Sequence, residues 1–440
     1  MPLSLRVAAV HLPKPHRWSE ALALNELGTW RVKPMSKISL SVLSSVLLST
    51  AATLPALAGH YNSHYSSPLV ARIADRFAEP TVLRPQQRPA KPDYRQPPRP
   101  DSVSYTIVDE PDADPAVGYG TRMFGINESG QVSGQFVDSN GVFHAFLGTP
   151  NGGGFDFTPI AVKHNDTFGF LLNDKGWMFG TYVDSETGIE NAWLRTAAGK
   201  LTTVEADGGS GGTVIQGLNN KGVSAGNYFD HNGAFRGFLR ATDGTIAKFD
   251  DSLGGSGAGQ GTNPIGINGK GEVSGIVFDS NDVAHGFIRS ADGETFTNFD
   301  VPGAGTDPFQ GTLGLEIEDN EWLTGAYIDS NFVSHGFLRR PDGGIIAPID
   351  PPGMGKNPGQ GVIGVEHLEK GWAVGEYVDA DDVVRGFVCK KCETDSRKIV
   401  EFAPPGAADT LNVISSNREH KVVGSFHDES GLRHGFIRNP

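Results

Sequence analysis

The stretch Gly275–Phe287, G-I-V-F-D-S-N-D-V-A-H-G-F, returns in recognisable form seven times between residue 134 and the C-terminus. Each copy ends on an aromatic: Phe146, Trp193, Phe238, Phe287, Phe337, Phe387 and Phe436, spaced 47, 45, 49, 50, 50 and 49 residues apart. Each carries a glycine (Gly134, Gly180, Gly226, Gly275, Gly325, Gly375, Gly424). An aspartate follows four residues later (Asp138, Asp184, Asp230, Asp279, Asp329, Asp379, Asp428). An offset kept in every copy means that every copy is one local structure. A repeat of this kind buries its apolar face against its neighbours and not within itself.

The fourth copy serves as template. Runs rich in Val, Ile and Phe alternate with turns of Asp, Asn and Gly, residues that tolerate the left-handed angles of tight hairpins. The runs predict strand a at about 264–267, b at 272–278, c at 284–289 and d at 295–300. Four short strands per period in the high forties is the pattern of β-propeller blades. Six d strands follow their c strands: F-T-P-I, L-T-T-V, I-A-K-F, F-T-N-F, I-A-P-I and I-V-E-F. The seventh unit stops at H-G-F-I-R-N-P without one. The missing strand stands at the other end, as Tyr105–Asp109. The expected fold is therefore all-β: a seven-bladed β-propeller over residues 104–440, closed by an N-terminal strand joining the last blade. Such closure removes two exposed sheet edges.

Four units carry H-A-F or H-G-F, at His144–Phe146, His285–Phe287, His335–Phe337 and His434–Phe436, and G-I-N-x-x-G occurs at Gly125–Gly130 and Gly266–Gly271. On these residues the chain, from about 104 to 440, resembles the HAF-repeat family of extracellular bacterial repeat proteins. Three units depart from it, with N-A-W at Asn191–Trp193 and R-G-F at Arg236–Phe238 and Arg385–Phe387. The resemblance implies an exported repeat protein and transfers no chemistry.

The N-terminal hundred residues read differently. Residues 35–58 combine Lys37, an apolar core at Val42–Leu48 and the small-x-small site Ala56-Leu57-Ala58, the grammar of a secretory signal peptide. Residues 1–34 fit no export grammar and are expected to be a non-native extension before Met35. Residues 59–103 hold eight prolines and seven Lys/Arg and read as a Pro-rich basic linker. Residues 1–100 balance to +8 (13 Lys/Arg, 5 Asp/Glu), which leaves residues 101–440 at −22 (24 against 46). A body so acidic repels phosphate backbones, which excludes nucleic acid as a partner. The apolar run of the leader is too short for a transmembrane span. The chain is expected to be secreted or periplasmic, and a monomer.

Candidate sites come from slots where the units differ. The long d–a loops place Gln260, Gln310 and Gln360 in one slot, 15 residues before the unit's glycine. Their amides can donate to and accept from a hydroxyl-rich ligand. Asp279, Asp329 and Asp379 lie in b–c turns, which in a propeller share a face with the d–a loops. They read first as turn-capping groups and second as ligand contacts. Glu316 and Glu366 share a strand-a slot, nine residues before Gly325 and Gly375, and are the candidate catalytic pair if both carboxylates face the channel. Trp177, Trp322 and Trp372 share a slot at the a–b turn. There they either plug the seam between units or stack on sugar rings.

Cys389 and Cys392 form C-K-K-C, expected to be a disulfide in an exported chain. No metal site is expected: zinc needs further ligands nearby, and a four-residue acidic turn cannot supply the six to eight oxygens calcium takes. No cofactor motif is present. The preferred function is a non-enzymatic propeller that binds a glycan or cell-envelope component. The alternatives are a propeller polysaccharide hydrolase or lyase, and a structural cell-surface repeat protein.

Overall fold

The computed structural model describes residues 103–440, apart from 117, 164, 207–210, 395 and 396 and the side chains of 367–369 and 411. The expectations for residues 1–34, the leader 35–58 and, but for its last residue, the linker 59–103 lie outside the described residues. The described chain is all-β, with 28 strands and no helix long and apolar enough to cross a membrane.

The strands form antiparallel meanders of four, the strand plan of propeller blades. In unit four, strand a is Gly261–Ile267, b is Val273–Phe278, c is Ala284–Arg289 and d is Phe296–Phe299. Strand a starts three residues earlier than its apolar pattern predicts, and the early start has a structural consequence. Gly261 makes a single parallel pair with Phe235 in strand c of unit three, and Gly311 with Ala284 and Gly361 with Ser334 repeat it in the next two units. These bridges join units three to six into one 16-stranded network, where the sequence led us to expect separate four-stranded sheets. The glycines adopt φ of 104°, 117° and 106°, and a Cβ at any of them would collide with the carbonyl oxygen of its bridge partner. Only glycine lets two backbones pass so closely.

The repeated glycine of strand b has an equally local cause. Gly134, Gly275, Gly325 and Gly375 sit directly across from Phe146, Phe287, Phe337 and Phe387 of strand c. The ring lies over the glycine, where an added Cβ would come within 2.6–2.8 Å of it. Glycine and aromatic therefore recur as a pair because each fills the other's space. All seven aromatics that end the copies are 0% exposed. At roughly 1.5–3 kcal/mol for each fully buried large side chain, they are the main apolar anchors of their units.

Neighbouring units are joined by further recurring contacts. Arg289 lies over the ring of Phe249, Arg339 over Phe299 and Arg438 over Phe402, each an arginine near the end of strand c on a strand-d phenylalanine of the preceding unit. Such cation–π pairs contribute on the order of 1 kcal/mol each.

The two ends of the repeat array meet. Ser104–Val108 pairs antiparallel with Arg433–Asn439 along its whole length. Gly120 bridges Arg433 in parallel, the same pairing that links units three to six. Arg122 Nε donates to Asn412 Oδ1 at 2.9 Å, and the Met123 N–H donates to Ser425 Oγ at 2.8 Å, both buried.

Candidate functional site

A cavity of about 410 Å³ opens at the a–b-turn end of the units. Every unit contributes to its lining, through the end of strand a or the turn that follows: Ile126 and Glu128, Leu171 to Asp174, Gln216 to Asn220, Ile265 to Gly269, Glu316 to Asn320, Lys370, and Ile414 to Ser416 with Arg418. The volume lies within the ~300–1,000 Å³ typical of ligand pockets.

A belt of asparagines runs around this end, and three of its members, Asn173, Asn219 and Asn268, line the cavity. Asn127, Asn173, Asn219, Asn268 and Asn417 each stand seven residues before the unit's glycine. Each Oδ1 accepts the N–H groups of residues two and four ahead and so closes its own a–b turn. Each Nδ2 then donates to a backbone carbonyl of a neighbouring unit. Asn127 donates to Asn173, Asn173 to Asn219, Asn219 to Asn268, Asn268 to Glu318, and Asn417 to Asn127. One side chain thus satisfies a turn and a seam, which explains its recurrence. Glu318 and Leu368 replace it in units five and six. One residue on, the carboxylate of Asp174 accepts from the Glu128 N–H at 3.2 Å and from Asn220 Nδ2 at 2.8 Å, and Asp319 accepts from the Gly269 N–H at 2.5 Å.

The residues singled out in the sequence are distributed unevenly around this cavity. Glu316 lines it; Glu366 is not among the described residues that do. The Glu366 carboxylate instead curls back along its own strand, within 2.6 Å of where a Cβ on Gly364 would stand.

Gln260, Gln310 and Gln360 belong to the d–a loops at the opposite end of their strands, and their amides are engaged locally. Gln260 Oε1 accepts the Gly257 N–H at 2.9 Å, while its Nε2 donates to Asp282 Oδ1 at 2.8 Å. Gln360 repeats this with Asn357 and Asp382, at 3.1 and 2.9 Å. Gln310 accepts from the Asp307 N–H at 3.0 Å, but its buried Nε2 has no hydrogen-bond partner. The reason is one substitution: Phe332 stands in unit five where Asp282 and Asp382 stand in units four and six.

The turn aspartates are engaged in the same way. Oδ1 of Asp279, Asp329 and Asp379 accepts the N–H groups two and four residues ahead, at 2.8–2.9 Å. Their Oδ2 faces a basic side chain of strand c: His285 Nε2 at 3.9 Å, His335 Nε2 at 3.7 Å and Arg385 Nε at 2.6 Å. The histidines reach a second carboxylate just past strand d, His285 to Asp300 at 2.9 Å and His335 to Asp350 at 2.8 Å. The hydrogen bonds to Asp300 and Asp350 raise the pKa of these two histidines. The same clamp spans the two chain ends, where His434 Nδ1 lies 2.9 Å from Asp109 and Nε2 lies 3.6 Å from Asp428. In these three units the H of H-x-F thus ties a b–c turn to the end of a d strand, while His144 reaches its turn aspartate Asp138 at 3.1 Å, and arginine does part of the work elsewhere.

Trp177 and Trp372 pack into seams between units. Trp177 lies against Gly222 of unit three. Trp372 stacks on His420 of unit seven at 4.1 Å, with Lys390 Nζ 4.3 Å from its ring centre. Cys389 and Cys392 are joined in a disulfide and fully buried. Among the described residues no group of three or more His, Cys, Asp or Glu is arranged to hold a metal ion.

Sequence reasoning missed Glu190. It opens strand c of unit two, in the slot filled by Phe143, Phe235, Ala284 and Val384 in four other units and by Ser334 and Arg433 in the remaining two. It is 3% exposed and its Oε2 has no hydrogen-bond partner. Burial pushes its pKa up to about 8 against a small opposing effect of the Thr181 hydroxyl, so the folded chain holds this carboxyl protonated at neutral pH. The signal in the sequence was a carboxylate in a slot that is apolar in four of the seven units.

No protein-family model matches this chain, and no curated protein is found to be similar to it. Solved structures with a similar chain path include a catalytically inactive virginiamycin B lyase from Staphylococcus aureus with quinupristin, at 13% identity over 77% of this chain and 100% of that one, with a TM-score of 0.47. They also include the β-propeller domain of the Trilobed protease from Pyrococcus furiosus, at 11% identity over 72% and 95%, TM-score 0.47. A third is an Aleuria aurantia lectin in complex with Fucα1-6GlcNAc, at 10% identity over 66% and 98%, TM-score 0.39.

Proposed function

We propose that this chain is an exported, non-enzymatic binding protein of the HAF-repeat kind: seven four-stranded blades in a ring that strand Ser104–Val108 closes. It holds a glycan or a glycan-bearing envelope component in the cavity at the a–b-turn end. The pairing of Ser104–Val108 with Arg433–Asn439 and the Gly120–Arg433 bridge support the closed ring. The observation that carries the binding reading is the cavity itself. It is concave, takes lining residues from all seven units, and is lined by amides and carboxylates together with the apolar Leu171, Ile265 and Ile414. Sugars present the matching surface, hydroxyls at the edge and C–H groups on the face.

A hydrolase or lyase with a carboxylate pair is less well supported, because Glu316 lines the cavity without Glu366. A glycan array probed with the purified full chain separates the readings. Specific binding without turnover, lost when Ile265→Trp fills the cavity and kept in Gln360→Ala, is the expected result. Depolymerisation that disappears in Glu316→Gln would replace this reading with the enzymatic one.

A further inference from the structure

One slot beside the cavity is apolar in every unit but one. Ten residues before the unit's glycine stand Phe124, Phe170, Ile265, Leu315, Val365 and Ile414, and in unit three Gln216. The slot falls on a β-bulge. Strand b pairs with Ile215 and with Gly217 and skips Gln216, as it skips Phe124 in unit one and Ile265 in unit four. A bulge re-aims the unpaired side chain, and here it turns Gln216 to the cavity, which Ile265 and Ile414 also line. Gly217 packs so closely on unit four that a Cβ there would stand 2.9 Å from the Ile265 carbonyl oxygen.

Gln216 is 8% exposed, so each polar atom of its amide needs a destination. Nε2 donates to Asn227 Oδ1 and to Asn263 Oδ1, both at 3.4 Å and both on side chains that are 0% exposed. Two acceptors on the nitrogen fix the amide's orientation, since turning it over would set oxygen against oxygen. Oε1 accepts no hydrogen bond from the described residues, and it is not among their sealed, unpartnered polar atoms. It therefore stands at the cavity surface. A nine-tenths buried amide is thus held from behind by its nitrogen and offers its oxygen forward. The fold does not need it there, because six units fill the slot with hydrocarbon. A single acceptor among apolar side chains is how a pocket fixes the orientation of a ligand.

We propose that Gln216 determines which sugar the cavity takes: its Oε1 accepts a hydrogen bond from one hydroxyl of an uncharged sugar ring, whose C–H face lies against Ile265. This rests on the reading that the cavity binds a sugar, and it names the group that reads it. A sugar without that hydroxyl leaves the oxygen desolvated and without a donor, and binds weakly.

The test is calorimetric titration of the full chain with three neutral disaccharides, cellobiose, lactose and N,N′-diacetylchitobiose, and with the monodeoxy forms of whichever binds tightest. Removal of one particular hydroxyl is expected to cost about tenfold in affinity, one unreplaced hydrogen bond's worth. Gln216→Leu, which installs the residue type of unit five, should cost the same tenfold, keep the melting midpoint, and erase the penalty of that deoxy form alone. Gln216→Met takes its place if the leucine variant does not fold. Binding of none of the three disaccharides would overturn both readings. Binding that the substitution leaves unchanged would overturn the role of Gln216 and leave sugar binding standing. An affinity loss shared by every deoxy form, or one that comes with a lowered midpoint, would make Gln216 a structural amide of the seam and overturn its role likewise.

Discussion

The two ends of the strands use the same residue types to opposite effect. At the d–a and b–c end, Asp, Gln and His are engaged with one another and with the backbone. Asp379, like Asp230, accepts two N–H groups and an arginine. At the a–b end the asparagines also close turns and seams, yet five carboxylates and two cations still face a cavity. Recurrence marks groups that hold the fold, and departures from recurrence mark where one unit differs from the rest. Asp279 and Gln260 recur. Glu316, Glu318 and Glu190 do not.

This contrast can be broken by substitution. Asp379→Ala should cost most, roughly 3 kcal/mol, because it strips two turn hydrogen bonds and leaves Arg385 beside an emptied site. Denaturant unfolding should show the loss while ligand affinity at the cavity stays as it was; a variant of normal stability that no longer binds would reverse the roles of the two ends. Next comes Glu190. Its folded pKa, about 8, lies above that of an unfolded carboxyl, so the folded state holds the extra proton. Stability should fall as pH rises from the ordinary carboxylate range towards 8, by up to a few kcal/mol. Glu190→Gln should flatten that slope in melting curves taken across pH.

The disulfide should matter less. Replacing Cys389 and Cys392 by alanine opens a very short loop and should cost about 2 kcal/mol in the chain-entropy account, read as a lowered midpoint with no change in binding. The finest comparison is within one slot. Gln360→Met should cost about 1 kcal/mol by losing the bond to Asp382, and Gln310→Met should cost less because its Nε2 has no partner to lose. Equal costs would show that these amides act through packing and not through their hydrogen bonds. The two histidine clamps give a last, small effect. His285 and His335 have raised pKa values, so what they add is fully present below the unfolded histidine pKa and is lost as pH rises through their folded values.

Much of this architecture was legible because it recurs. The aromatic and glycine slots located strands b and c, and unit four's strand c falls on the predicted residues. The side-chain destinations were not legible. Strand b of unit four, Val273–Phe278, is buried at every position, so the usual in–out alternation that tells a core face from an open one is absent. The sequence shows that Gln260, Gln310 and Gln360 share a slot, but not that their loops fold back to take up the amides. It shows Asn127 and Asn268 within G-I-N, but not that their Nδ2 groups link neighbouring units.

The pairing of Ser104–Val108 with Arg433–Asn439 also dictates an order of assembly. The first strand of the repeat region to be synthesised finds its partner in the last. Loop closure over more than three hundred residues has to be met before that sheet can form. The six intervening meanders can each close over a few dozen residues, so docking of the terminal strand should be the late event of folding. A chain cut short of residue 433 would be left with an unmatched strand at one end and unmatched backbone at the other.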